Sequence, residues 1–131
     1  FGAVVARAGE IVGRSTNQVT VAHDPTAHAE IEAIREACRR LATHRLDGCE
    51  IYSSCEPCPM CLGAIYWARL SRLTFAATRR DASKAGFDDE AFHREARVPL
   101  HRRSLPVTQR LRERALEALA LWQSKPDRTP Y

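Results

Sequence analysis

The chain has 131 residues, with 20 Lys and Arg against 16 Asp and Glu, for a formal net charge of +4. That length suits one domain with a real core and is short for two. No apolar run approaches the roughly 20 residues of a membrane span. The basic residues fall in scattered pairs, Arg39-Arg40, Arg79-Arg80 and Arg102-Arg103, with no aromatic-interleaved basic stripe. Such a balance reads first as a soluble surface and argues against a nucleic-acid partner.

The first residues, Ala3 to Ala8 and Ile11-Val12, read as two short strands around Gly9-Glu10, a hairpin pattern. The chain opens without Met directly into this element and without a secretory leader, as expected of a chain whose natural start lies upstream. Asn17 to Pro25 is polar and turn-rich, and predicts a loop. Asp24-Pro25 then predicts a helix start, with Asp as N-cap and Pro at the first helical position. Ala27, Ile31, Ile34, Cys38 and Leu41 form its apolar stripe, flanked by His28 and Glu30. Cys49 to Ser54 predicts a buried strand, Pro57 to Arg69 a second helix, and Arg72 to Ala77 a third principal strand. Alternation of strand and helix is an α/β pattern with crossover connections. A short helix is expected from Asp88, an edge strand between Val98 and Val107, and an amphipathic helix over Gln109 to Trp122. The polar, proline-containing segment 124–131 reads as a tail.

Five cysteines, Cys38, Cys49, Cys55, Cys58 and Cys61, are an odd number with three clustered. A reduced, cytoplasmic chain using metal ligands explains this better than a disulfide framework. The cluster lies in Pro57-Cys58-Pro59-Met60-Cys61, and upstream stands His28-Ala29-Glu30. Two thiols three residues apart on a helix share one face. In a first turn they also meet free N–H groups and the positive dipole end, which favour thiolates. With His28 they make three ligands and leave a fourth position open for water, the pattern of catalytic zinc. Glu30 is then the proton carrier and not a ligand. His-x-Glu with Pro-Cys-x-x-Cys is the signature of zinc base deaminases.

Other readings compete. Cys55, Cys58 and Cys61 resemble the start of an iron–sulfur run, but the following Cys-Pro is missing. A structural zinc site needs a fourth Cys or His, for which His23 is the nearby candidate. His44, His93 and His101 read as surface or satisfied residues, Cys38 and Cys49 as core, and Cys55 as packing beside the metal.

On these motifs the chain resembles the cytidine deaminase-like superfamily and, more narrowly, the bacterial guanine deaminases of that fold. The resemblance is carried by Asp24 to Glu30, by Ser54 to Arg69, by Ala85-Gly86-Phe87-Asp88-Asp89 and by the terminal Tyr131. Tyr66-Trp67, Phe87-Asp88-Asp89 and Tyr131 are the narrowing features. The resemblance implies a three-layer α/β/α fold around a mixed five-stranded sheet. It implies one zinc-dependent domain over 1–131, whose tail, 124–131, forms an active-site lid. The implied reaction is hydrolysis of guanine to xanthine and ammonia with Zn2+ as cofactor, His28, Cys58 and Cys61 as ligands, and Glu30 as catalytic acid–base. Phe1 and Trp67 would sandwich the purine, Ala29 would line the substrate site, Asn17 would read one polar edge, and Asp89 would accept from guanine N–H groups. The family also implies a homodimer whose C-terminal segments swap, so that Tyr131 completes the neighbouring pocket. Aromatic faces suit a flat base, Asn offers a donor and an acceptor, and a carboxylate suits paired N–H donors. Each residue also has a plainer use: Trp67 in core packing, Asn17 in a turn, Asp89 as a helix cap. One departure is the N-terminal helix that these enzymes carry ahead of Phe1, absent here. The alternatives are a tRNA adenosine deaminase, a deaminase of another small base such as cytosine or an aminotriazine, and a zinc-binding module without catalysis.

Overall fold

The computed structural model describes residues 1–130. They form two compact units, Phe1 to Ala96 and a second from Arg97 onward. In the first unit the elements run β1 (Gly2–Arg7), β2 (Glu10–Thr16), α1 (Val19–Ala22), α2 (Ala29–Leu41), β3 (Cys49–Cys55), α3 (Pro59–Trp67), β4 (Arg72–Ala77), α4 (Arg79–Lys84) and α5 (Glu90–Arg97). The sheet has the order β2-β1-β3-β4. β1 pairs antiparallel with β2 and β3, while β3 and β4 are parallel, so the sheet is mixed.

This corrects the expected five strands to four. Among the described residues, the stretch from Val98 to Val107 holds a short 3-10 turn, Leu100–Arg102, and no strand. A strand exists only against a hydrogen-bonding neighbour, and Pro99 and Pro106 each remove a ladder donor. The tight Ala8-Gly9 reversal, with both residues at positive φ, closes the β1–β2 hairpin as the pattern predicts.

The core lies between the sheet and α2. Val5, Ile51, Leu46 and Cys49 are fully buried, joined by Ala33 and Ala37 from α2 and Ile65 and Ala68 from the α3 end. Each large aliphatic side chain so buried contributes about 1.5–3 kcal/mol. In β3 the alternation is regular: Cys49, Ile51, Ser53 and Cys55 face the core, and Tyr52 and Ser54 face away. The strand is therefore buried on one face and not on both.

Two helix starts differ from the sequence reading, and both differences shape the site. Asp24 does not cap α2. Its Oδ1 accepts the Thr26 N–H and hydroxyl in a local turn, and α2 begins at Ala29 with His28 as N-cap. Likewise α3 begins at Pro59 with Cys58 as N-cap. Pro59 suits that first helical position, because its missing N–H is one the helix cannot use. The segment read as a loop before Pro25 also contains the single-turn helix α1, opened by Asn17 Oδ1 accepting the Val19 N–H.

In the second unit, α6 (Arg112–Ser124) is the principal element. Leu100, Leu105, Leu111, Leu119 and Leu121 are all exposed.

The close approach of α2 to β2 depends on Gly13. A Cβ there would sit 2.4 Å from the Ala33 carbonyl oxygen and 2.7 Å from the Ala37 nitrogen, both backbone atoms that cannot swing aside. Gly13→Ala is expected to cost at least about 2 kcal/mol of stability as an overpacked core site. Urea unfolding should show it as a lower midpoint with little change in slope. An unchanged midpoint would contradict this packing.

Candidate active site

Two helix N-termini converge beside the end of β3. His28 caps α2 and Cys58 caps α3, with Cys61 at the third residue of α3. His28 Nδ1 lies 3.7 Å from Cys58 Sγ and 3.5 Å from Cys61 Sγ. Ligand atoms of these three residues all fall within 4.8 Å of one another. Ligands held at about 2.0–2.3 Å around a tetrahedral zinc ion are separated by roughly 3.3–3.8 Å. The donor set and its spacing therefore fit zinc.

The charge distribution also suits a cation. Cys58 is pulled down to about 6, first by the hydrogen bond with the Cys61 thiol, then by the Cys61 backbone N–H, His28 and the Met60 N–H. Cys61 is pushed upward by that same hydrogen bond, by burial and by the charge of Glu30. A metal cation is the partner that would let both sulfurs become thiolates. Burial pushes the Cys55 thiol up, and its Sγ approaches the Thr78 carbonyl at 3.7 Å, consistent with a packing role.

Glu30 is buried and stands outside that ligand set. Its Oε1 accepts a 2.8 Å hydrogen bond from Ser53 Oγ, and its Oε2 lies 3.5 Å from Cys61 Sγ. Ser53 Oγ in turn accepts the Cys55 N–H. Sequence reading missed Ser53. Its signal was there, however: a hydroxyl on the inward register of a strand otherwise lined by Cys and Ile.

A cavity of about 370 Å³ opens onto these groups. His28, Glu30 and Cys58 line its floor, and Phe1, Asn17, Phe87 and Asp89 are among the residues of its walls. Phe1 and Phe87 meet edge to face, with centroids 4.9 Å apart and planes at 81°, a favoured aromatic geometry. Phe87 is thus a wall residue that sequence reading quoted in a motif but did not assign to the site. The Asn17 N–H is tied to the Phe1 carbonyl, and its Oδ1 is held by the Val19 N–H.

Two other expected residues sit differently. Ala29 is buried at the first position of α2, where its backbone N–H is one of the donors a helix leaves unpaired. Trp67 does not line the cavity. It is the last residue of α3, 63% exposed. Six residues separate it from Cys61, so the rise of the helix carries the indole about 9 Å along its axis. Tyr131 lies outside the described residues.

Residues 1–77 match the model of the cytidine and deoxycytidylate deaminase zinc-binding region. The chain belongs to this family. Zinc is accordingly its cofactor, and the chain is an enzyme of the zinc-dependent deaminase class. Guanine deaminase of Bacillus subtilis (strain 168) is 45% identical over 131 residues, covering 100% of this chain and 84% of that protein. The X-ray structure of the B. subtilis guanine deaminase superposes with a TM-score of 0.95, over 99% of this chain and 83% of that one. Guanine deaminase from Nitrosomonas europaea is similar in structure over 67% of this chain and 52% of its own, at 37% identity and a TM-score of 0.64. Likeness to tRNA-specific adenosine deaminase is partial. That of Aquifex aeolicus is 49% identical over 76 residues, which is 58% of this chain and 50% of that protein.

If the three residues hold the metal together, removing one sulfur should release it. Cys58→Ala, measured by metal analysis after dialysis against a weak chelator, is expected to retain under about a tenth of the zinc of the parent protein. Full retention would remove Cys58 from the ligand set.

Proposed function

We propose that this chain catalyses the zinc-dependent hydrolytic deamination of guanine to xanthine and ammonia. The observation that carries the reading is the likeness to B. subtilis guanine deaminase along the whole chain, from the metal motifs through the C-terminal segment. The partial likeness to tRNA-specific enzymes supports the shared chemistry and not the shared substrate.

His28, Cys58 and Cys61 would hold the zinc, which when bound lowers the pKa of a water toward neutrality. Glu30 supplies the proton movements. It takes one proton from the attacking water and delivers it to a ring nitrogen, then takes the second from the hydroxyl added to the ring carbon and delivers it to the departing amine, so that water and guanine become xanthine and ammonia. Ser53 holds one Glu30 oxygen, and Oε2, on the side of Cys61, is the oxygen nearer the metal ligands for proton transfer. A base in the cavity would lie against the Phe1–Phe87 wall. Trp67, which does not line the cavity, would reach the base from another direction. Asn17, with Oδ1 already engaged, offers its Nδ2 donors to a purine acceptor. The Ala29 N–H is a further donor at the α2 terminus. Asp89 accepts from guanine N–H groups. A pocket built on such polar pairing discriminates strongly against bases that leave its groups unpaired.

The working unit in this reading is a homodimer in the cytoplasm. The second unit exposes Leu100, Leu105, Leu111, Leu116, Leu119 and Leu121, and α3 exposes Tyr66 and Trp67, more apolar surface than a lone chain ordinarily shows. The C-terminal tail, 124–131, of one subunit would cover the cavity of the other.

Ammonia release should be measured over guanine, adenine, cytosine, their nucleosides, ammeline and a tRNA. Guanine is expected to be preferred by at least about a hundredfold. Preference for tRNA or cytosine would overturn the substrate, and no release by zinc-loaded protein would overturn the enzyme reading. Glu30→Gln should keep its zinc and lose about 10²-fold or more in kcat, the scale of general acid–base catalysis. Near-normal turnover would take that role from Glu30. Sedimentation equilibrium should give a dimer for the full chain and a shift toward monomer after truncation at Ala96. A monomeric full chain would contradict the swapped assembly.

A further inference from the structure

His93, expected from sequence to be a surface or satisfied residue, stands beside the cavity-lining Asp89. It lies one turn after Asp89 on α5, and its Nε2 is 3.2 Å from Asp89 Oδ2. That nitrogen is buried and makes no aligned hydrogen bond. A buried ring nitrogen without a partner is costly, and a neighbouring carboxylate is the group that can satisfy it. The backbone joins the same two residues, because the His93 N–H donates to the Asp89 carbonyl at 3.1 Å.

The helix entrance does not consume the Asp89 carboxylate through its neighbour's N–H. Asp88 Oδ1 accepts the Glu90 N–H at 3.0 Å and performs that local turn. The adjacent cation is also engaged elsewhere, with Arg79 Nη1 3.8 Å from Glu90. Asp89 therefore faces two environments, the cavity on one side and the His93 ring on the other. His93 itself is not a lining residue.

We propose that His93 is a positioning residue for substrate recognition. It fixes the rotation of the Asp89 carboxylate through Oδ2, so that the carboxylate meets the purine N–H groups in one orientation. A carboxylate oxygen has capacity for a histidine N–H and a substrate N–H together. Without the imidazole, the Asp89 side chain must be ordered anew at each binding event, and that cost falls on affinity. This inference rests on the reading of Asp89 as a substrate-recognising residue.

The test compares His93→Phe, His93→Asn, His93→Gln and Asp89→Ala in steady-state kinetics with guanine, using zinc-loaded full-length protein. His93→Phe should raise KM about tenfold while kcat stays within about threefold, since only ground-state positioning is lost. His93→Gln, whose amide reaches as far as the imidazole, should restore KM to within about threefold of the parent protein. His93→Asn keeps the polarity but shortens the reach, so its KM should rise with that of His93→Phe, and it carries the test if the Phe variant fails to fold. In the double variant with Asp89→Ala, the His93 substitution should add nothing further, because the two act as one unit. An unchanged KM in His93→Phe or His93→Asn, with a raised KM in Asp89→Ala, overturns the role of His93 and leaves that of Asp89 standing. An unchanged KM in Asp89→Ala overturns both. A fall in kcat with KM constant, unrescued by Gln, assigns His93 to structure alone and also overturns the proposal.

Discussion

Three ligand atoms from residues about thirty positions apart must meet within 4.8 Å, and most of the first unit serves that requirement. β1 and β3 pair antiparallel, which sets the edge at which both helices begin. α2 packs on the sheet through Gly13, Ala33 and Ala37, residues small enough to let helix and strand backbones nearly touch. Widening that contact would carry His28 away from the sulfurs. Metal affinity and core packing are in this way one constraint, and the smallest residues in the core matter as much as the ligands.

The same convergence prepares the electrostatics. Placing His28 and Cys58 at the N-caps directs two positive dipole ends and several free N–H groups toward one point. Such a point holds negative charge well, and the Cys58 thiol is pulled down there, first by its hydrogen bond with Cys61 and then by backbone N–H groups and His28. Ser53 holds one Glu30 oxygen toward β3, an arrangement consistent with the proposed place of Glu30 beside the metal and not on it.

Much of this was legible in the chain. His28, Cys58 and Cys61 could be read because metal chemistry demands few residue types at fixed spacings, and tertiary structure cannot hide that demand. The β1–β2 hairpin, the α2 stripe and the strand at Cys49 followed from local periodicity. The helix starts were less legible. Asp24-Pro25 looks like a cap, yet the Asp24 side chain bonds Thr26 and delays the helix to Ala29. Local rules could not choose between two uses of one carboxylate. The strand expected between Val98 and Val107 is not formed for a deeper reason: pairing needs a neighbour, which local sequence does not reveal, and among the described residues this stretch holds none. Trp67 was assigned by motif, but its place at the far end of α3 follows only from the length of that helix. His93 looked unremarkable because its meaning depends on Asp89 one turn earlier and on burial that a lone histidine does not announce.

The central claim is that the site has three protein ligands, with Glu30 beside the metal and not on it. Zinc K-edge X-ray absorption on the zinc-loaded protein tests this most directly. Two sulfurs at about 2.3 Å, one nitrogen at about 2.0 Å and one further light atom are expected, with that shell unchanged in Glu30→Gln. A shell that loses a ligand when Glu30 is replaced, or one holding a third sulfur, would contradict it.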